Sequence, residues 1–127
     1  MHLMAQPITA NYGINHGITL AIIMPAWVGR FYKTRPERYV QFAERIFGQK
    51  VTDREPNNIA VEVIDMFETW MKTLGVQTRL SEFGIGEDAI EILEEEIIRT
   101  AFGPGGKLAS RVPATKDDIR EVLKLAL

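Results

Sequence analysis

The chain has 127 residues, 46% of them hydrophobic and 25% charged, which is enough apolar content to bury a core and too much for disorder. A net charge of −2 gives no electrostatic case for nucleic acid as a partner. The absence of cysteine excludes a disulfide framework and any thiolate metal site, and fits a reducing, cytoplasmic setting.

Near the start, His2 precedes Pro7 and the turn signal Asn11-Tyr12-Gly13, and Pro7 predicts an early end to any helix there. Residues 18–32, ITLAIIMPAWVGRFY, are apolar on all sides, which predicts a central buried helix kinked at Pro25. This run is too short to span a bilayer, so no membrane association is expected. Thr34 and Glu37 read as a capping box with Pro36 in the first turn; Tyr39, Phe42, Ala43 and Ile46 then share one face, up to Gly48. The longest predicted helix carries Ile59, Val63, Phe67, Trp70 or Met71, and Leu74 at a period of 3.6, ending at Gly75.

VQTRLSEFGIG reads as a connector with one short turn. Ile90, Leu93, Ile97, Ile98 and Ala101 predict the next helix, with Glu94-Glu95-Glu96 as its solvated face, and FGPGG terminates it. Thr115 with Asp118 signals a cap, and Ile119, Val122, Leu123 and Ala126 form the inner face of a last helix. No run alternates with period two, and no repeat is present. Residues 1–127 therefore predict a single all-α domain of five or six helices, packed antiparallel through short loops.

Chemistry is sparse. There is no GxGxxG, P-loop or GxSxG motif. Arg30, Lys33, Arg35 and Arg38 alternate with Phe31, Tyr32 and Tyr39, but Glu37 and Glu44 dilute the charge, and a solvated face is the simpler reading than an RNA surface. The remaining candidates are His2 and His16. One continuous helix would hold them about 21 Å apart, far beyond a shared ion with bonds of about 2.0–2.1 Å. A helix, a turn at Gly13 and a second helix opening at His16 could bring both imidazoles together. Spacing alone leaves open whether they are ligands or incidental histidines.

HLMAQPITANYGINHGITLAIIMPAW resembles the metal-binding segment of the iron-containing alcohol dehydrogenases, particularly their butanol dehydrogenase-like branch. In that family a histidine on one helix is followed fourteen residues later by a second, in the context HG…LAI…PAW, and both bind the metal. His2 and His16 match those positions. RYVQFAERIFG, WMKTLGVQTRLSEFGI and PATKDDIREVLKLAL continue the resemblance across the whole chain. It implies the C-terminal helical part of an NAD(P)-linked oxidoreductase acting on a small alcohol or aldehyde, with Fe²⁺ or another divalent ion such as Zn²⁺.

In the family, two further ligands and the nucleotide-binding domain lie upstream of the part that these residues match. Gln6 stands where a second histidine, associated with proton relay, is usual. The resemblance therefore implies an incomplete metal shell, no catalytic residue within these 127, and no activity from them alone. A homo-oligomer, or a complementary chain covering the first two helices, is the expected partner; a stand-alone helical interaction protein derived from such an enzyme is the alternative.

Overall fold

The computed structural model describes residues 1–108, 110 and 112–127. Among them are six α-helices: α1 (His2–Tyr12), α2 (His16–Phe31), α3 (Pro36–Phe47), α4 (Pro56–Thr73), α5 (Ile90–Ala101) and α6 (Lys116–Leu125). Short 3-10 turns occupy Tyr32–Thr34, Leu80–Phe83 and Glu87–Ala89. The described residues contain no strand, only isolated bridges joining Leu108 to Phe102 and to Ala114. The all-α expectation holds. No described helix is long and apolar enough to cross a membrane.

Helix α2 is the centre, packed against α1, α4 and α6, while α5 closes the other side against α1 and α6. Its Ile22 and Ile23 meet Met4 and Ile8 of α1, Leu93 and Ile97 of α5, and Ile119 and Leu123 of α6 in the main core. Each such fully buried side chain contributes about 1.5–3 kcal/mol of transfer free energy. A smaller core of Ala43, Ile59 and Val63 joins α3 to α4. Thr19, Ile22, Ile23, Pro25, Ala26 and Phe31 of α2 are buried within the chain, while Ile18, Leu20, Met24, Trp27 and Val28 keep part of their surface exposed.

Local chemistry explains where the helices differ from expectation. Helix α1 does not end at Pro7 but runs on to Tyr12. Pro7 forfeits one backbone bond, yet Met4, Ala5, Pro7 and Ile8 are all buried, and that packing outweighs the lost donor. Helix α2 opens at His16, the start that pairing the two histidines requires, because Asn15 caps it: Gly17 N–H donates to Asn15 Oδ1 at 2.8 Å. Pro25 is buried inside α2, which continues as one helix.

The capping box at Thr34 does not form. Thr34 Oγ1 donates instead to Phe31 O at 2.7 Å within the preceding 3-10 turn, and Arg35 takes the cap position ahead of Pro36. The box at α6 forms as expected, with Asp118 N–H donating to Thr115 Oγ1 and Thr115 N–H donating to Asp118 Oδ2. Asp118 also takes Arg30 of α2 at 2.5 Å. Desolvation raises the Asp118 pKa, but the Thr115 bonds and the Arg30 charge outweigh it and hold the carboxyl below its ordinary range.

Two carboxylates are buried, one of them against expectation. Glu94, read as part of a solvated face, is 1% exposed. Its Oε2 accepts from Arg120 Nε at 2.7 Å, and the Lys116 ammonium lies 3.8 Å from Oε1. Cations from α6 compensate the charge, so it cross-links α5 to α6 rather than meeting water. Glu68 of α4 is likewise buried, accepting from Thr78 Oγ1 at 3.1 Å and pairing with Lys72 and Arg79 at 2.9 and 2.8 Å. Arg79 also donates to the Leu125 carbonyl at 2.7 Å, tying α4 and the connector to the end of α6. At the α3–α4 edge the predicted inner stripe is incomplete. Of the alternatives Trp70 and Met71, Met71 is the buried one; Ile46 and Leu74 are 65% and 61% exposed and Trp70 49%, because no further helix among the described residues covers that side.

Candidate metal centre

The two histidines meet. Nδ1 of His2, the first residue of α1, lies 3.3 Å from Nε2 of His16, the first residue of α2. Three local features hold this arrangement. Gly13 ends α1 in the left-handed region at φ 65°, donating its N–H to Thr9 O at 3.0 Å, and so reverses the chain. Asn15 then fixes the start of α2 through its cap. Thr19 Oγ1 donates to His16 O at 2.9 Å and stands 3.0 Å from Thr9 Oγ1, which joins the two helices beneath the imidazoles.

The ring centroids are 5.6 Å apart with planes inclined at 39°, so the rings converge at their nitrogens rather than stacking. Two nitrogens at bonds of about 2.05 Å around a tetrahedral centre lie about 3.3 Å apart, and the observed separation of 3.3 Å fits that donor pair. The same distance suits an N–H···N hydrogen bond between neutral rings in the ion-free chain. The donor set is nitrogen from imidazole, which suits iron, zinc and nickel. No group of three or more His, Asp or Glu gathers for a metal among the described residues, so the histidines stand there as a pair.

Gln6 stands one turn after His2, exposed on the same helix. It borders a cleft with Asn11 and Glu96, where Asn11 Nδ2 donates to Glu96 Oε2 at 2.5 Å. An amide there donates and accepts hydrogen bonds but cannot carry a proton near neutral pH. The Thr9–Thr19 and Asn11–Glu96 contacts had no signal in the sequence, since neither pair falls at a spacing that a single helix would bring together.

The model of the Fe-containing alcohol dehydrogenase family, C-terminal, matches residues 1–127. The chain belongs to that family. Among its relatives within this alcohol dehydrogenase family, NADH-dependent butanol dehydrogenase A of Clostridium acetobutylicum is 29% identical over 126 residues, covering 97% of this chain and 31% of the relative. NADP-dependent alcohol dehydrogenase 3 of Entamoeba histolytica is 37% identical over 93 residues, covering 72% and 22%. The crystal structure of NADH-dependent butanol dehydrogenase A from Thermotoga maritima superposes with a TM-score of 0.87 at 30% identity, over 98% of this chain and 32% of that one. The chain thus spans about a third of the length of these alcohol dehydrogenases.

Proposed function

We propose that these 127 residues are the metal-holding helical part of an NAD(P)-dependent oxidoreductase acting on a small alcohol or aldehyde, with His2 and His16 as two of the metal ligands. The observation that carries this reading is the 3.3 Å approach of the two imidazole nitrogens, fixed by a glycine turn, an asparagine cap and a threonine pair. Each histidine lends a neutral nitrogen lone pair. The divalent ion, iron or zinc, when bound there, supplies Lewis acidity to the alcohol or carbonyl oxygen during hydride exchange with nicotinamide.

Helices α1 and α2 act as the rigid arms that orient the donors, since Met4, Ile8, Ile22 and Ile23 behind them are fully buried. Gln6 can hold a substrate hydroxyl or a water by hydrogen bonds but passes no proton along. The nucleotide site and the remaining ligands belong, on this reading, to residues outside these 127, and turnover requires them.

Calorimetric titration of the chain with Fe(II), Zn(II) and Ni(II) tests the ligand assignment. We expect weak one-site binding that disappears in His2→Ala and in His16→Ala, because two nitrogens without the other ligands give little affinity. Equal binding by the wild type and His16→Ala would remove His16 from any metal role.

We also propose self-association, supported by the exposed apolar edge at Ile46, Trp70 and Leu74. Light scattering at high concentration should show dimers that Trp70→Glu dissociates; a monomer throughout refutes it.

A further inference from the structure

Two cavities lie back to back between α2 and α3, and Arg38 and Tyr39 line both. The first, about 230 Å³, is walled by Met24, Pro25, Val28, Phe42, Val63 and Phe67 in addition to the two shared residues. Its surface is almost wholly carbon. The second, about 350 Å³, is lined by Met1, Trp27, Phe31, Thr34, Arg35 and Ser110 in addition to the shared pair.

Arg30 pairs with Asp118, but neither Arg35 nor Arg38 is ion-paired among the described residues. Arg35 is also the cap position of α3, whose N-terminus has no side-chain cap, so the positive end of a 12-residue helix adds to both guanidiniums. Glu37, in the same first turn, lines neither cavity. A basic cleft lined by two aromatic rings therefore opens beside an apolar one. The basic–aromatic alternation that read as a solvated face is in part the wall of this double cavity.

From this juxtaposition we infer a binding site for a medium-chain aliphatic carboxylate, its head group on Arg35 and Arg38 and its hydrocarbon tail in the apolar cavity. A guanidinium receives a carboxylate through paired N–H donors, and two in one cleft select an anion over an alcohol or an amine. Tyr39, which lines both cavities, borders head and tail alike. Tail length follows from volume. A cavity of about 150 Å³ holds the six carbons of benzene, so 230 Å³ takes a chain of up to about nine carbons, which octanoate fits. Met1, next to His2, also lines the second cavity, so the site adjoins the histidine pair without including either imidazole.

Titration of the chain with octanoate, butyrate, 1-octanol, octylamine and inorganic phosphate tests the site, by calorimetry and by Trp27 fluorescence in a Trp70→Phe background. Octanoate should bind and perturb Trp27, and affinity should rise by up to about fourfold for each methylene buried. The double variant Arg35→Gln/Arg38→Gln, both at solvent-accessible positions, should lose about tenfold or more in octanoate affinity while leaving 1-octanol unchanged. Val28→Phe should block the tail and spare phosphate, with a circular dichroism melt confirming that the variant is folded. Octylamine binding as well as octanoate, octanoate and butyrate binding alike, or full octanoate affinity in the arginine variant would each overturn the assignment.

Discussion

The same chemical change, glycine to alanine, should have opposite signs at Gly13 and Gly29. Gly13 ends α1 at φ 65°, ψ 15°, and a Cβ built there meets nothing within 4 Å. The cost of Gly13→Ala is therefore conformational alone: about 1–2 kcal/mol for a left-handed L-residue, offset by about 0.4–1 kcal/mol from the stiffer unfolded chain. A net loss of about 1 kcal/mol follows.

Gly29 lies inside α2, and its added Cβ also meets nothing within 4 Å. Gly29→Ala should gain about 0.5–1 kcal/mol from helix propensity. In urea, where a chain of this size has a slope of about 1–3 kcal/mol/M, the midpoints should move by about 0.5 M in opposite directions. The two sites share no packed neighbour, so the double variant should melt near the wild type. A destabilising Gly29→Ala would mean that its face is packed rather than open, and a neutral Gly13→Ala would mean that the turn does not need its left-handed geometry. The Gly13 variant should also weaken metal binding, because the turn sets the position of His16 against His2.

Below about pH 4 the fold should lose stability through Asp118, whose carboxyl is held below its ordinary range in the folded chain. A lowered folded pKa gives stability that is complete above the unfolded value and is lost as pH falls through the folded one. Asp118→Asn should then flatten the acid limb of stability against pH; an unchanged limb would place the titration elsewhere, with Glu68, also lowered despite its burial, the next candidate. Ile23→Ala in the middle of α2 should cost about 2–5 kcal/mol by denaturant unfolding, since Ile23 is 0% exposed. A loss well under 1 kcal/mol would mean that the core collapses around it.

Helix positions were readable from the sequence where apolar periodicity and end signals agreed. Helix α6 has both, with Thr115 and Asp118 at its start and Ile119, Val122 and Leu123 inward, and it forms as expected. Helix α1 has an end signal at Asn11-Tyr12-Gly13 but a competing stop at Pro7, and only the packing of Met4, Ala5 and Ile8 carries the helix past the proline. Burial of Glu94 was invisible for a related reason. Three consecutive glutamates look alike in sequence, and which of them faces α6 depends on where Arg120 and Lys116 stand in space. The exposed ends of the α3 and α4 stripes show the converse, because periodicity marks a face without telling how far a neighbour extends over it.

The histidine pair depends on the same distinction between what a sequence permits and what packing selects. Gly13 and Asn15 permit a reversal between His2 and His16, but the same residues would serve a hairpin that pointed the imidazoles apart. The register is chosen beneath the rings, where Thr9 and Thr19 meet at 3.0 Å and the main core locks α1 and α2 together. Thr19 is fully buried, so its hydroxyl must find a partner inside, and His16 O and Thr9 Oγ1 are the ones available. Thr19→Val should therefore separate the two requirements. The fold keeps its volume and loses about 1 kcal/mol of hydrogen bonding, while the imidazoles lose the contact that fixes their approach. If Zn(II) or Ni(II) binding falls by more than the stability loss alone accounts for, the threonine pair positions the ligands. Unchanged binding would show that Gly13 and the Asn15 cap are sufficient.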